Sequence, residues 1–300
     1  MARSHVSRSL SKCRARAPRD GYVLMLVLVT LVLAATLLVQ LSSASLRKQS
    51  ESLEAQAALQ TKWARLSCER AALSQASLYF EALEQTRRRP SQKPESSSSP
   101  LSQTRQEIML GSCRLQLLVA DESAKANLNS LAQISPAKTH LLSKQLIEPR
   151  YVPDLKPFPS FPLRYLGDVV DMSALNARHG NVRVVAEVAQ NVSIWSQSLN
   201  IHRASDRVLR EAIAVVVPKG RADSFVESLR DSPNSGLATI LRRTIKNKEE
   251  QNQLTSILSD RSDCFSVWVE SMDSKGNRGL SFRVQRVNAE GVIENYSFVF

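Results

Sequence analysis

The chain has 300 residues, of which 43% are hydrophobic and 23% charged, with a formal net charge of +12. That length accommodates one large domain or two modest ones. The charge looks like a nucleic-acid signature, but residues 1–21 carry five Arg and one Lys against one Asp, and about +7 remains without them. That residue is ordinary for a domain of this size and excludes the charge as evidence for a nucleic-acid partner.

Residues 22–41, from Tyr22 to Leu41, contain no charge, Pro or Gly and few polar side chains, among them Thr30 and Gln40. A run of about 20 such residues spans a hydrocarbon core of about 30 Å. The basic leader lies on one side of it, and only Arg47 and Lys48 precede Glu51 on the other. By the positive-inside rule the N-terminus is expected in the cytoplasm and everything after Leu41 across the membrane. The competing reading is a secretory signal peptide cleaved at Ser43-Ala44-Ser45, which would have a shorter apolar stretch.

From Tyr22 to Arg89 nothing breaks a helix, since neither Gly nor Pro occurs. Its part outside the membrane, residues 42–89, keeps an apolar stripe: Leu59, Leu66, Leu73 and Phe80 recur every seven residues, flanked by Trp63, Ala76 and Leu83. Such a stripe must be covered by its own domain or by a partner helix. Interruption by Gln60 and Arg70 favours the former over a coiled coil. The charged, Ser- and Pro-rich stretch Arg87 to Thr104 reads as a linker, placed at 90–104.

Residues 105–300 form the body. Cys113 to Ala120 is a candidate strand, and 149–162, with five prolines, is expected to be an extended connection. Helical patterns follow at 166–178, 183–190, 205–216, 221–230 and 236–258. Three alternating runs close the chain, carried by Phe265, Val267 and Val269, by Leu280, Phe282 and Val284, and by Tyr296, Phe298 and Phe300. Asp273 to Gly279 and Asn288 to Gly291 supply turns. The fold class is α+β, with a helical subdomain at about 130–260 and an antiparallel β-meander at about 264–300.

Catalytic signatures are missing. There is no G-x-S-x-G elbow, Walker loop, G-x-G-x-x-G or H-E-x-x-H. His5, His140, His179 and His202 are widely separated, and Asp273 to Asn277 lacks the oxygen pattern of a calcium loop. Arg242 to Lys248 is followed by Glu249 and Glu250 and reads as a solvated helix face. No metal, cofactor or catalytic residue is assigned, and the chain reads as a non-enzyme. The four cysteines have no metal-ligand spacing; Cys113 and Cys264 could pair in an oxidising compartment or remain buried thiols. Asn127, Asn129 and Asn200 each precede a helical pattern, as N-cap residues do.

Four segments taken in order resemble the minor pseudopilin K family of the type II (general) secretion pathway. Gly21-Tyr22 before the apolar helix is similar to the leader-peptidase junction of pilin-like proteins. Leu118 to Leu131, with Asp121, Glu122, Asn127 and Asn129, resembles the family's Asp-Glu-Ser-Gly-Lys-x-Asn-Leu-Asn junction. Ser198 to Ser205, with Asn200, resembles its Ile-Asn-Val-Asn-Thr-Ala-Ser, and Arg261 to Val267, with Phe265, its Ser-x-x-Phe-x-Val. Ala124 replaces the family's Gly, His202 replaces an Asn, and the spacing between the Asn motifs is shorter than usual.

The resemblance implies a pilin-like fold and removal of residues 1–21 by a prepilin peptidase between Gly21 and Tyr22. It also implies an anchor in the inner membrane with a periplasmic body, and other minor pseudopilins as partners through membrane helix and stem. Pilin-like subunits generally carry a Glu as fifth mature residue; counted from Tyr22, that position is Leu26. The K subunit lacks this Glu, which fits a tip position. Some family members bind calcium, a property that the residues here do not support. A single-pass coiled-coil envelope scaffold and a minor type IV pilin are the alternatives.

Overall fold

The structure, a computed structural model, describes residues 19–88, 102–110, 113–158, 161–179, 183–232, 235–272, 278–287 and 293–299. The chain divides into two compact units, Met1–Leu59 and Gln60–Phe300. Helix α1, Arg19–Arg88, contributes to both.

In the first unit every described side chain from Tyr22 to Leu59 is exposed. This is one helix, among the described residues, long and apolar enough to cross a membrane, and none of its apolar window is buried within the protein. Its few hydroxyls are satisfied locally. Thr30 donates to the Val27 carbonyl at 2.9 Å and Thr36 to that of Leu33 at 2.8 Å, so neither requires a solvent partner in an apolar surrounding.

The second unit is α+β, as its sequence pattern indicates. Strands β1 (Gln103–Leu110) and β2 (Cys113–Asp121) form a hairpin, and a 3-10 turn, Glu122–Ala124, leads to the short strand β3, Ala126–Asn127. Helices α2 (Leu128–Ile134), α3 (Pro136–Leu146), α4 (Met172–His179) and α5 (Arg183–Val188) follow, then the short strands β4 (Val192–Ser193) and β5 (Leu199–Asn200). Helices α6 (Asp206–Ala214), α7 (Lys219–Asp231), α8 (Leu237–Thr244) and α9 (Lys248–Ile257) complete the helical part. After β6 (Leu258–Ser259), strands β7 (Cys264–Met272), β8 (Arg278–Val287) and β9 (Ile293–Val299) form the meander. The main sheet has the order β1-β2-β7-β8-β9 and is antiparallel throughout. Two short parallel ladders, β3 with β4 and β5 with β6, tie the helical part to the ends of that sheet.

Strand alternation places the sheet between two apolar layers. Leu115, Leu117 and Val119 of β2, with Phe265, Val267 and Val269 of β7, bury against Cys68, Leu73, Ala76 and Phe80 of α1. The opposite face, with Trp268, Leu280, Phe282 and Val284, packs on the helical subdomain. The stripe of α1 is thus covered by its own body at Leu73, Ala76 and Phe80, whereas Leu59 and Trp63 remain 56% and 63% exposed.

Several expectations change. Strand β1 was not expected; its side chains are largely exposed because it is an edge strand pairing only with β2, so it shows no apolar alternation. The 236–258 helix is two helices, because Ile245 turns extended and buries its side chain while Asn247 caps α9 by accepting the Glu249 N–H at 2.9 Å. Part of the proline-rich connection is a 3-10 turn, Pro149–Asp154; Pro149 stands at its start, where a missing N–H costs nothing, and Tyr151 is buried. Cys113 and Cys264 cannot pair. Arg114 faces Met272 while Asp121 faces Phe265, so the two thiols sit at opposite ends of the ladder, on the order of 25–30 Å apart at about 3.4 Å per residue. Cys68, Cys113 and Cys264 are all free. The leader up to Pro18, most of the Ser/Pro linker, the turns at 273–277 and 288–291, and Phe300 lie outside the described residues.

Candidate functional site

Strand β2 ends in three consecutive polar residues with no exposed surface: Asp121, Glu122 and Ser123 are each 0% exposed, and Lys125 only 2%. Groups of this kind are tolerated in an interior when each finds partners. Asp121 Oδ1 accepts the Ser123 N–H at 2.9 Å, which turns the chain into the 3-10 segment. Its Oδ2 accepts from Arg203 Nη1 at 3.0 Å and from the Ser262 hydroxyl at 2.5 Å. Glu122 Oε1 accepts from Lys125 Nζ and from the Ser266 hydroxyl, both at 2.5 Å. The Ser123 hydroxyl donates to Asp263 at 2.6 Å.

Arg203 is the centre of the arrangement. Besides Asp121 it reaches Glu84 of α1, with Nε 3.2 Å from Oε2, and its guanidinium lies 5.8 Å from the centroid of the Phe80 ring. Asn200 holds the turn that presents it. Its Oδ1 accepts the His202 N–H at 2.9 Å and its Nδ2 donates to Ser262 at 2.8 Å. The stem, the end of β2, the turn after β5 and the turn before β7 therefore meet at one salt-bridged, buried point. Burial pushes Asp121 up to about 6 against the opposing pull of Ser262, Arg203 and the Ser123 N–H. Burial, with Glu122, Asp263 and Asp121 nearby, pushes the Cys264 thiol well up.

The asparagines divide the labour. Asn127 is the N-cap of α2, accepting the N–H groups of Asn129 at 2.8 Å and Ser130 at 3.0 Å. Asn129 lies inside α2, so it is not a cap. It clamps two loops instead: Nδ2 donates to the carbonyls of Leu163 and Ile194, each at 3.0 Å, and Oδ1 accepts the Leu163 N–H at 2.7 Å. Asn200 holds a turn, and the cap of α6 is Ser205, which accepts the Val208 N–H at 3.2 Å.

Asp121, Glu122, Asn200 and Phe265 are thereby gathered around one junction, Asn127 and Asn129 beside it. Tyr22 and Leu26 are elsewhere, on the exposed apolar part of α1, at 70% and 51% exposure; Gly21 belongs to the same helix. Sequence reasoning did not single out Arg203, Ser262, Glu84 or Glu69. A usable signal existed for Arg203, a cation between apolar Ile201 and Ala204 in a segment too apolar to be a surface loop.

A second polar contact lies lower on α1. Glu69 is 1% exposed, accepts from the Ser281 hydroxyl, and stands 3.3 Å from Arg283 Nε and 3.9 Å from Arg65 Nε. A cavity of about 360 Å³ lies over the other face of the sheet, floored by Leu118, Trp268 and Leu280 and rimmed by Gln116, Glu187 and Glu270. Among the described residues no group of three or more His, Cys, Asp or Glu is placed to hold a metal ion. What the buried junction can do is fix the stem, the sheet and the helical subdomain in one geometry.

No family model matches the sequence, and no curated protein matches it. Among solved structures the chain is similar to one in the GspK-GspI-GspJ complex from the type 2 secretion system of enterotoxigenic Escherichia coli. The identity is 16%, the match covers 83% of this chain and 99% of that one, and the TM-score is 0.45.

Proposed function

We propose that this protein is a minor pseudopilin of a type II secretion system, acting by assembly at the tip of a short periplasmic filament and not by catalysis. One observation carries the reading. The segments that resemble the family, around Asp121, Asn200 and Phe265, pack into a single buried junction in a body whose first helix continues from a membrane-length apolar run. Motifs that look unrelated in sequence thus have a shared physical task, to join stem and body.

In this reading a prepilin peptidase removes residues 1–21 and leaves Tyr22 first. The apolar helix holds the subunit in the inner membrane until it joins other minor pseudopilins through helix and stem, with the body in the periplasm. Leu26 stands where internal subunits would carry a membrane carboxylate. A carboxylate there is costly unless it meets a neighbour's amine, and a subunit at the tip has no neighbour above it to supply one.

The test is photo-crosslinking in cells from an unnatural side chain at Leu59 or Trp63, both exposed on α1. Discrete complexes with other pseudopilins, about one copy each, are expected. Ladders of self-crosslinked copies would overturn the tip assignment and favour a coiled-coil scaffold.

A further inference from the structure

Seating the stem on the body buries an unbalanced set of charges. Around Arg203 lie Asp121 and Glu84, at 3.0 and 3.2 Å. Beside them Glu122 is paired with Lys125, and Asp263 is held by Ser123. Four carboxylates therefore face two cations, and Asp121 and Glu122 are fully buried. Every element packed on Asp121 contributes: Glu84 from α1, Arg203 from the turn after β5, Ser262 and Asp263 from the turn before β7, and Cys264 from β7. Its own segment adds Glu122 and Lys125. The contact at Glu69 has the opposite balance, one carboxylate between Arg65 and Arg283.

We infer that the Glu84, Arg203 and Asp121 junction is a proton-tightened latch: the C-terminal end of the stem seats more firmly on the body as its surroundings acidify. Seating buries one more carboxylate around Arg203 than that guanidinium neutralises, and a proton removes the excess. Lifting the stem would take Glu84 and Phe80 away and return water to Asp121, relieving the same excess by solvation. The sign follows from linkage. Asp121 titrates at about 6 in the seated state, raised from 3.8, so seating takes up a proton in the intervening range. The added stability is full below about 4 and is lost as pH rises through about 6. The Glu69 contact, with no excess carboxylate, holds the lower stem independently of this step.

The experiment is hydrogen–deuterium exchange on the full chain in detergent micelles, following the amides of residues 73–85 between pH 7.5 and 4.5 with intrinsic rates divided out. Protection of this segment is expected to rise about five- to tenfold on acidification. Asp121→Asn should abolish the rise; should that variant not fold, Glu84→Gln, at a less buried position, should flatten it. His202, 3.6 Å from Asp260, is the neighbouring group that titrates in the same range, and His202→Gln should leave the rise intact. Flat or falling protection in the wild-type chain overturns the latch. So does a rise that survives Glu84→Gln unchanged or disappears in His202→Gln.

Discussion

Phe80 of the stem stacks on Phe265 of β7, with ring centroids 5.9 Å apart and planes inclined by 14°. Phe80 is 0% exposed and also lies beneath the Arg203 guanidinium. One side chain thus joins the apolar seam of α1 to the polar junction above it. Phe80→Ala should cost about 3–5 kcal/mol, the range for emptying a buried aromatic site. Urea unfolding of the purified chain measures this; a loss under 1 kcal/mol would mean that the stem contributes little to the body.

Asn129 makes three side-chain hydrogen bonds to two loops. Asn129→Ala leaves the Leu163 N–H and the carbonyls of Leu163 and Ile194 to find other partners, at about 1–3 kcal/mol for each group that stays buried. Asn129→Asp keeps an acceptor for the Leu163 N–H and loses both donors, so it should also destabilise. Thermal unfolding midpoints should fall for both variants.

The described thiols should be inert in the folded state. Cys264 is 0% exposed and its thiol is pushed well up by burial, which suppresses the reactive thiolate. Cys113 is buried with its sulfur 2.9 Å from the Thr61 hydroxyl. Mild oxidation should therefore create no link between Cys113 and Cys264, and thiol labelling at pH 8 should require denaturant. A disulfide between these two in a native digest would contradict the sheet register.

Much of the fold was legible because the signals were periodic. Phe265, Val267 and Val269 alternate, and they are the strand face buried against α1; Leu73, Ala76 and Phe80 recur at helical spacing, and they are the opposing face. What was hidden had no such period. Strand β1 is a polar edge whose only tie to the sheet is its ladder with β2. The two loops held by Asn129 lie 34 and 65 residues away, and no local pattern announces such contacts. The junction was half legible: Asp121, Glu122 and Asn200 stood out by resemblance. Arg203, Ser262 and Glu84 are joined to them only by tertiary structure, across separations of 59 to 141 residues.

The outermost strand, β9, carries Phe298, whose ring lies 6.0 Å from that of Phe282 and 6.5 Å from that of Trp195. Deleting residues 292–300 would open the edge of β8 and uncover this cluster, and exposed apolar edges associate. Aggregation or rapid proteolysis of the body is expected by size-exclusion chromatography and limited digestion. A monomeric, protease-resistant truncated chain would show that the meander is dispensable.

The account stands most directly on maturation. N-terminal sequencing of the chain recovered from membranes of a cell with the secretion machinery should begin at Tyr22, and Gly21→Leu should leave the full-length precursor. A mature start at Met1 or Ala2 would contradict a pseudopilin and favour a scaffold anchored by an uncut helix. A start near Leu46 would contradict both and make the apolar run a signal peptide.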